Sequence, residues 1–294
     1  MSYERRNKLD GHAARRRCRV ALLPDCHVQF KRDSLPVRPT KRLYGAARWL
    51  LETYLERLAS MDVDAVFLLG DTLDPADDAG LNWLTSLIDQ STVPVYIIIG
   101  NHETYGWTSV ERFHRAFGLP DHGHHVAMVN EVPFLMLATP DQDSLIPGSA
   151  GYRWLQETLE EFDSSTDLFC CAHFSLLLHP CVEGSKNDGM QVLWSAGEIM
   201  SLLRERPNVR AWIAGHKNVP SKVVRDGMLH LLSPQLIQAP CAFRVIDIHD
   251  DGILSRVHDI EEQDLARLSR LAYGADYSER HGTEEDRDFW WSWK

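Results

Sequence analysis

The chain has 294 residues, 44% of them hydrophobic and 25% charged, with a formal net charge of −11. That allows an independently folding body of ordinary globular composition. The acidic balance argues against a nucleic-acid polymer as the main partner, though not against a small phosphorylated substrate held beside a bound cation.

Residues 1–18 carry ERRNK and ARRRC and read as a flexible basic arm, with a nucleic-acid or membrane tether as the second reading. No apolar stretch follows the basic residues of 1–20, unlike a signal peptide. No run reaches the about 18 apolar residues of a membrane span, so no membrane association is expected. The six cysteines show no zinc-knuckle spacing, and free thiols in a reducing cytoplasm are expected. Regular structure is predicted from Arg19, where RVALLP forms a short buried strand.

The stretch 41–59 has helical periodicity, with Leu43, Ala47, Leu50, Tyr54 and Leu58 on one side. AVFLL (65–69) is a strand, 81–90 a helix, 93–99 a β-branched strand, and 109–118 a short helix ending at Gly118. Neighbouring strands are expected within 125–139, a helix over 151–162, a strand over 168–173 and a helix over 193–206. A strand, AWIAG, then leads to a hairpin over 219–233 about Asp226-Gly227 and to two more strands about Asp251-Gly252.

Strand and helix alternate first and antiparallel strands close the series, so the order fits an α/β fold with helices on both sides of a β-sandwich. The domain is placed at 19–258, followed by an acidic extension over 259–294 that ends in DFWWSWK. Those aromatic side chains need cover. Packing on the same body is the first reading; docking on a second copy, giving a homo-oligomer, is the other.

The residues just past each apolar strand carry the chemistry. RVALLP runs into Asp25-Cys26-His27, AVFLL into Gly70-Asp71-Thr72-Leu73-Asp74, and VYIII into Gly100-Asn101-His102-Glu103. LFCCA runs into His173, and AWIA into Gly215-His216-Lys217-Asn218. Ligands gather at the carboxyl ends of strands in α/β sheets, and five such endings in order exceed the ordinary use of Asp and His in turns. Carboxylates, imidazoles and amides suit Mn²⁺, Fe²⁺ or Zn²⁺. There are too many for one tetrahedral ion; they suit two ions about 3.5–4 Å apart that share a carboxylate.

The series DCH, GDTLD, GNHE, H and GHKN resembles the signature of the calcineurin-like metallophosphoesterases over roughly residues 19 to 258. Within that superfamily LATPDQDSLIPGSAGYRWLQETL and LLSPQLIQAPCAFRVIDI are similar to the class III cyclic-nucleotide and glycerophosphodiester phosphodiesterases. The resemblance implies a four-layer α/β/β/α sandwich. It also implies a dinuclear, metal-dependent phosphodiesterase in which a metal-bridging hydroxide attacks phosphorus. A phosphomonoesterase and a non-catalytic scaffold are the alternatives. By the same resemblance Asp25 and His27 bind the first metal, Asp71 bridges, and Asn101, His173 and His216 bind the second.

The family's last histidine aligns with Asn218, which leaves the first site weak and favours Mn²⁺ there. His230 is the histidine that could stand in for it. His102 is expected to assist the leaving group without binding metal, with Glu103 orienting its imidazole. Asp74, Asp77 and Asp78 read as turn or cap residues, and Cys26 as packing. His122, His124 and His125 read as a loop and strand start rather than a surface metal site. His179 reads as a loop or pocket-mouth residue, and Tyr105 and Trp107 as either core or substrate-flanking.

Overall fold

Every residue of β2 (Ala65–Leu69) is buried, and its two faces enter different cores. Ala65, Phe67 and Leu69 pack into one cluster, Val66 and Leu68 into another. A strand buried on both faces reads as a continuous apolar run, and that is why AVFLL does not alternate. The computed structural model describes residues 14–30, 41–105, 109–181, 192–274 and 280–294. Trp107 lies outside the described residues, as do 1–13 of the basic arm.

Two six-stranded sheets form the centre. The first orders β12 (Phe289–Ser292), β11 (Gly252–Asp259), β10 (Ala242–His249), β1 (Arg16–Leu22), β2 and β3 (Val95–Ile98). The second orders β4 (His125–Val129), β5 (Val132–Leu137), β6 (Leu168–Ala172), β7 (Val209–Ala214), β9 (Met228–Leu232) and β8 (Ser221–Arg225). β1, β2 and β3 pair in parallel, as do β5, β6, β7 and β9.

Three apolar clusters divide the molecule into four layers. One lies between the first sheet and α1 (Tyr44–Ala59), α2 (Asp78–Asp89) and α3 (Val110–Ala116), through residues such as Leu50, Leu84 and Phe113. The second lies between the sheets, around Phe67, Phe134 and Phe169. The third lies between the second sheet and α4 (Ala150–Glu161) and α5 (Ala196–Arg204), through Leu155, Leu159, Ile199 and Leu203. This is the expected α/β/β/α sandwich. No helix among the described residues is long and apolar enough to cross a membrane.

Local chemistry sets the joints. Asp77 caps α2 by accepting from Gly80 N at 2.8 Å, as a cap residue should. Asp226 and Gly227 have φ of 53° and 75°, the two positive values a tight two-residue hairpin requires between β8 and β9.

One expectation changes. β1 begins at Arg16, not Arg19, because the arginines before it are anchored: Arg16 to Asp62 at 2.6 Å, Arg17 to Asp167 at 3.0 Å and Arg15 to Asp250 at 3.7 Å. The aromatic end of the chain packs on the same body, the first of the two readings. α6 (Gln263–Tyr273) and α7 (Glu284–Arg287) precede β12, which pairs antiparallel with β11. Phe289 enters the core between the sheets, and Trp291 and Trp293 pack against it.

Fully buried Arg244 ties this segment down. Its guanidinium donates to the carbonyls of Leu232 at 3.1 Å, Asp286 at 2.9 Å and Arg287 at 3.3 Å, and to Ser255 Oγ at 2.6 Å. The tail therefore runs back over the strand ends.

Candidate metal centre

The carboxyl ends of five parallel strands meet at one edge of the sandwich. The first sheet brings Asp25 and His27 after β1, Asp71 after β2 and Asn101 after β3. The second brings His173 after β6 and His216 after β7. The loops are laced together: Asp25 N donates to Gly70 O at 3.0 Å and His27 N to Asp71 O at 2.8 Å. Their backbones are unusual. Asp25, His27, Asp71, His216 and Asn218 have φ of 56°, 45°, 54°, 62° and 61°. Left-handed geometry disfavours side chains by roughly 1–2 kcal/mol each and persists where surroundings enforce it.

Two of the glycines are dictated by the site. A Cβ on Gly100 would lie 2.5 Å from Asp71 Oδ1 and 3.0 Å from the His173 ring. One on Gly215 would lie 2.8 Å from Asp25 Oδ2. Only glycine lets these chains approach so closely.

Asp71 is the hub. Its Oδ2 lies 3.3 Å from His173 Nε2, 3.8 Å from His27 Nε2 and 3.9 Å from His102 Nε2. Two sets of ligand atoms, His27–Asp71–His102 and Asp71–His173–His216, each fall within 4.8 Å of one another, and Asp71 belongs to both. Asp25 Oδ1 is 3.5 Å from His27 Nε2, and Asp25 Oδ2 accepts from His216 N at 2.8 Å. Asn101 Oδ1 is 3.1 Å from His173 Nε2, while its amide Nδ2 donates to Tyr105 Oη at 2.6 Å. Tyr105 is 64% exposed, so it stands at the rim and not in the core.

The residues fit divalent cations. Asp25, His27, Asp71 and His173 are all buried. Asp25 Oδ1, both ring nitrogens of His27 and Asn218 Oδ1 are buried without a hydrogen-bond partner. Buried carboxylates and unpartnered donors of these types require neutralisation, which a cation supplies. His173 Nδ1 faces the Leu69 carbonyl at 2.9 Å. Donation there leaves the Nε2 lone pair toward Asp71, the arrangement metal-binding histidines use.

Electrostatics report the same crowding. Burial opposes charge on His173, yet Asp71 and Asp25 push it up to about 9. Burial and the His173 charge push His216 down to about 3. Burial acts to raise Asp71, but His173, His27 and His102 hold it well below the usual carboxylate range.

Two sequence readings need correction. Glu103 does not orient the His102 imidazole. It is buried, and it accepts from Asp71 N at 2.9 Å, Gly100 N at 2.9 Å and Leu73 N at 3.0 Å, clamping the β2 and β3 loops. Burial and the Asp71 charge push its carboxyl up to about 7. The group beside His102 is Asp74, which is no simple turn residue. Its Oδ1 lies 3.1 Å from His102 Nδ1 and its Oδ2 lies 3.5 Å from His27 Nδ1. The His102 contact has ion-pair distance but lacks hydrogen-bond alignment. Burial disfavours the Asp74 charge, but the two imidazoles lower its pKa, and Asp74 and Asp71 in turn raise that of His102 against burial. The sequence carries the signal: Asp74 is the second acid of GDTLD.

Asn218 is buried beside His216, whose carbonyl accepts from Asn218 Nδ2 at 3.1 Å. That turns the unpartnered Oδ1 away from the backbone. His230 cannot substitute for it. It sits mid-β9, fully buried on the face shared by Met228 and Leu232, in the layer beneath α5. His124 is structural: its Nδ1 accepts from Ala138 N at 3.1 Å and its ring stacks on Trp154. His179 is buried with Nδ1 3.0 Å from Ser221 Oγ. Cys26 is buried in the core under α1, as alternation implies.

Comparison with known proteins agrees with this geometry. No curated protein matches. Among solved structures, a dimetal phosphatase from Danio rerio superimposes with a TM-score of 0.65 at 18% identity, covering 83% of this chain and 96% of its own. A purple acid phosphatase from yellow lupin (Lupinus luteus) seeds gives 0.57 at 15% identity, over 82% of this chain and 51% of its own. A Plasmodium protein described as the anchor in the inner membrane complex gives 0.53 at 12% identity, over 84% and 86%. At these identities the likeness is one of fold. Residues 18–220 match the calcineurin-like phosphoesterase family, and with two metal-capable ligand sets sharing Asp71 at its strand ends the chain belongs to that family of metal-dependent phosphoester hydrolases.

Proposed function

We propose that the protein hydrolyses a phosphodiester, with Mn²⁺ or Fe²⁺ as its first-choice ions and Zn²⁺ as the next. The observation that carries the metal-dependent hydrolysis is Asp71, shared by two ligand clusters, since a carboxylate has two oxygens and can serve two cations. Asp25, His27 and Asn218 would hold the first ion, and Asn101, His173 and His216 the second. Divalent ions, when bound, supply charge neutralisation at phosphorus and a water of lowered pKa.

The chain's own residues do the rest. The Leu69 carbonyl fixes His173 with Nε2 inward. Tyr105 fixes the Asn101 amide with its oxygen inward. Glu103 locks three backbone N–H groups, so that Asp71 and Gly100 cannot drift. His102 is partly open to solvent, and Asp74 beside Nδ1 stabilises its protonated form. A proton at His102 Nε2 is then available to a departing alkoxide, which a diester leaves behind. His102 also stands within ligand distance of the first-ion cluster, so its position spans both metal and substrate.

The diester preference rests on the class III likeness of 137–159 and 231–248. A second reading, a non-catalytic scaffold, takes its support from the Plasmodium neighbour described as an anchor. Residence in a reducing cytoplasm belongs to the same proposal and is supported by six free thiols, five of them buried. The test is a Mn²⁺-supplemented screen of cyclic nucleotides, glycerophosphodiesters, nucleotide sugars and monoesters. Preference for a diester is expected. Uniform preference for monoesters overturns the diester reading, and no turnover of any substrate favours the scaffold.

A further inference from the structure

Two arginines reach the metal centre from opposite ends of the chain. Arg280 comes from the C-terminal segment. Its Nη2 donates to the Asn218 carbonyl at 3.2 Å, and its guanidinium lies over the Tyr273 ring, 5.5 Å from the centroid. Arg42 precedes α1. Its Nη1 donates to Tyr44 Oη at 3.3 Å, and that hydroxyl donates to Asp74 Oδ2, also at 3.3 Å. Arg42 thus stands two links from Asp74, the partner of His102, and Arg280 one link from the GHKN loop.

Neither guanidinium is satisfied. The Nε of each is buried without a hydrogen-bond partner. Among the described residues no carboxylate stands within ion-pair distance of either. Three other arginines are paired with carboxylates: Arg19 with Asp247 at 2.6 Å, Arg17 with Asp167 at 3.0 Å and Arg287 with Asp259 at 2.6 Å. Arg244, whose Nε is also unpartnered, is held instead by three carbonyls and the Ser255 hydroxyl, four acceptors against the single one that each of Arg42 and Arg280 has among the described residues. The carboxylates whose fields act on Arg42 and Arg280 are those of the metal centre, Asp25 for both and Asp71 for Arg42, and Arg42 also disfavours the charge on Arg280. Divalent cations would offset those carboxylates and increase the demand for an anion. Two guanidinium groups beside the metal centre, each with a buried unpartnered Nε and no counter-ion among the described residues, match the recognition of an oxyanion.

We propose that Arg42 and Arg280 form an oxyanion subsite beside the metal centre, which selects phosphoester substrates carrying a second phosphate or carboxylate. This rests on the phosphoesterase reading and narrows its substrate class. Arg280 lies beyond the residues 18–220 that match the family, so the subsite is completed by this chain's own extension.

The test is titration calorimetry on the Mn²⁺-loaded full chain with two ligand pairs. AMP against adenosine 3′,5′-bisphosphate probes a second phosphate; glycerol 3-phosphate against 3-phosphoglycerate probes a carboxylate. In at least one pair the second anion should tighten binding by about tenfold or more, the worth of a charged hydrogen-bonded contact. Arg42→Gln and Arg280→Gln should each erase that ratio, and the corresponding Lys variants should retain part of it. No advantage in either pair of the unsubstituted protein overturns the proposal, whether or not the variants fold. So does an advantage that survives in both Gln variants. Bis(p-nitrophenyl) phosphate turnover is measured in parallel. If it is absent while the second-anion advantage is present, the phosphoesterase reading fails and the subsite stands.

Discussion

Replacing Glu103 with Gln isolates the clamp on the two ligand loops. The carboxylate holds three buried N–H donors at 2.9, 2.9 and 3.0 Å. A Gln side chain of the same shape keeps its carbonyl oxygen toward Asp71 N and Gly100 N, but turns an NH₂ toward Leu73 N. One charge-assisted bond, about 1.5–3 kcal/mol, is then lost outright, and the two others fall to neutral strength, about 1 kcal/mol less each. The total is about 3–5 kcal/mol. Unfolding entropy near 2.1 cal/mol/K per residue converts this, for a chain of this length, into a fall of about 5–8 °C in melting temperature. Calorimetric melts with chelator and with Mn²⁺ measure it, run above the Glu103 value of about 7 so that the carboxyl is ionised. Mn²⁺ should narrow the gap, because bound ions hold the same loops. A melting temperature within about 1 °C of the unsubstituted protein would refute the reasoning, and would reopen a role for Glu103 beyond the backbone.

Asn218→His should raise retained Mn²⁺ from near one ion per chain after dialysis toward two, since imidazole is the stronger donor and histidine tolerates the left-handed backbone there; two tightly held ions in the unsubstituted protein, unchanged in the variant, contradict it. His102→Ala should slow turnover by roughly 10²–10⁴-fold. The loss should shrink for nitrophenyl leaving groups, which need no proton, and equal loss for alkyl leaving groups removes His102 from that role. His173, raised to about 9, gives the metal-free chain stability that is fully present below its ordinary value of 6.5 and lost as pH rises through 9. Melting with chelator should therefore weaken across that window, while Mn²⁺ uptake at pH 7 should release a proton to the buffer; a flat profile with no proton release contradicts the assignment.

The strand ends are legible because each apolar run stops at a residue type that a turn alone does not require. DCH, GDTLD, GNHE and GHKN fall where the parallel strands end, and the structure collects them at one edge. Glu103 is misleading because adjacency in sequence suggests a contact with His102. The short 3₁₀ turn His102–Tyr105 instead sends neighbouring side chains in different directions. Asp74 is hard to read because acids are common in turns, and nothing local shows that two imidazoles close on it. The C-terminal segment is the least legible. β12 is a four-residue edge strand whose partner, β11, lies about thirty residues earlier, and its register depends on Gly252, where any Cβ would strike Trp290. Arg280 reaches Asn218 from just before α7, which Arg244 anchors, and neither contact is signalled locally in the sequence.

The most direct measurement of the central claim is the rate of bis(p-nitrophenyl) phosphate hydrolysis as Mn²⁺ is titrated into the metal-stripped protein, beside Asp71→Asn. The unsubstituted chain should be inactive without metal and gain activity with two ions bound. Asp71→Asn keeps the side-chain shape but not the charge that two cations share, so it should fall by at least about 10²-fold at saturating Mn²⁺. Activity in Asp71→Asn equal to that of the unsubstituted protein, or hydrolysis that persists in the stripped protein, would contradict a shared-carboxylate, metal-dependent phosphoesterase.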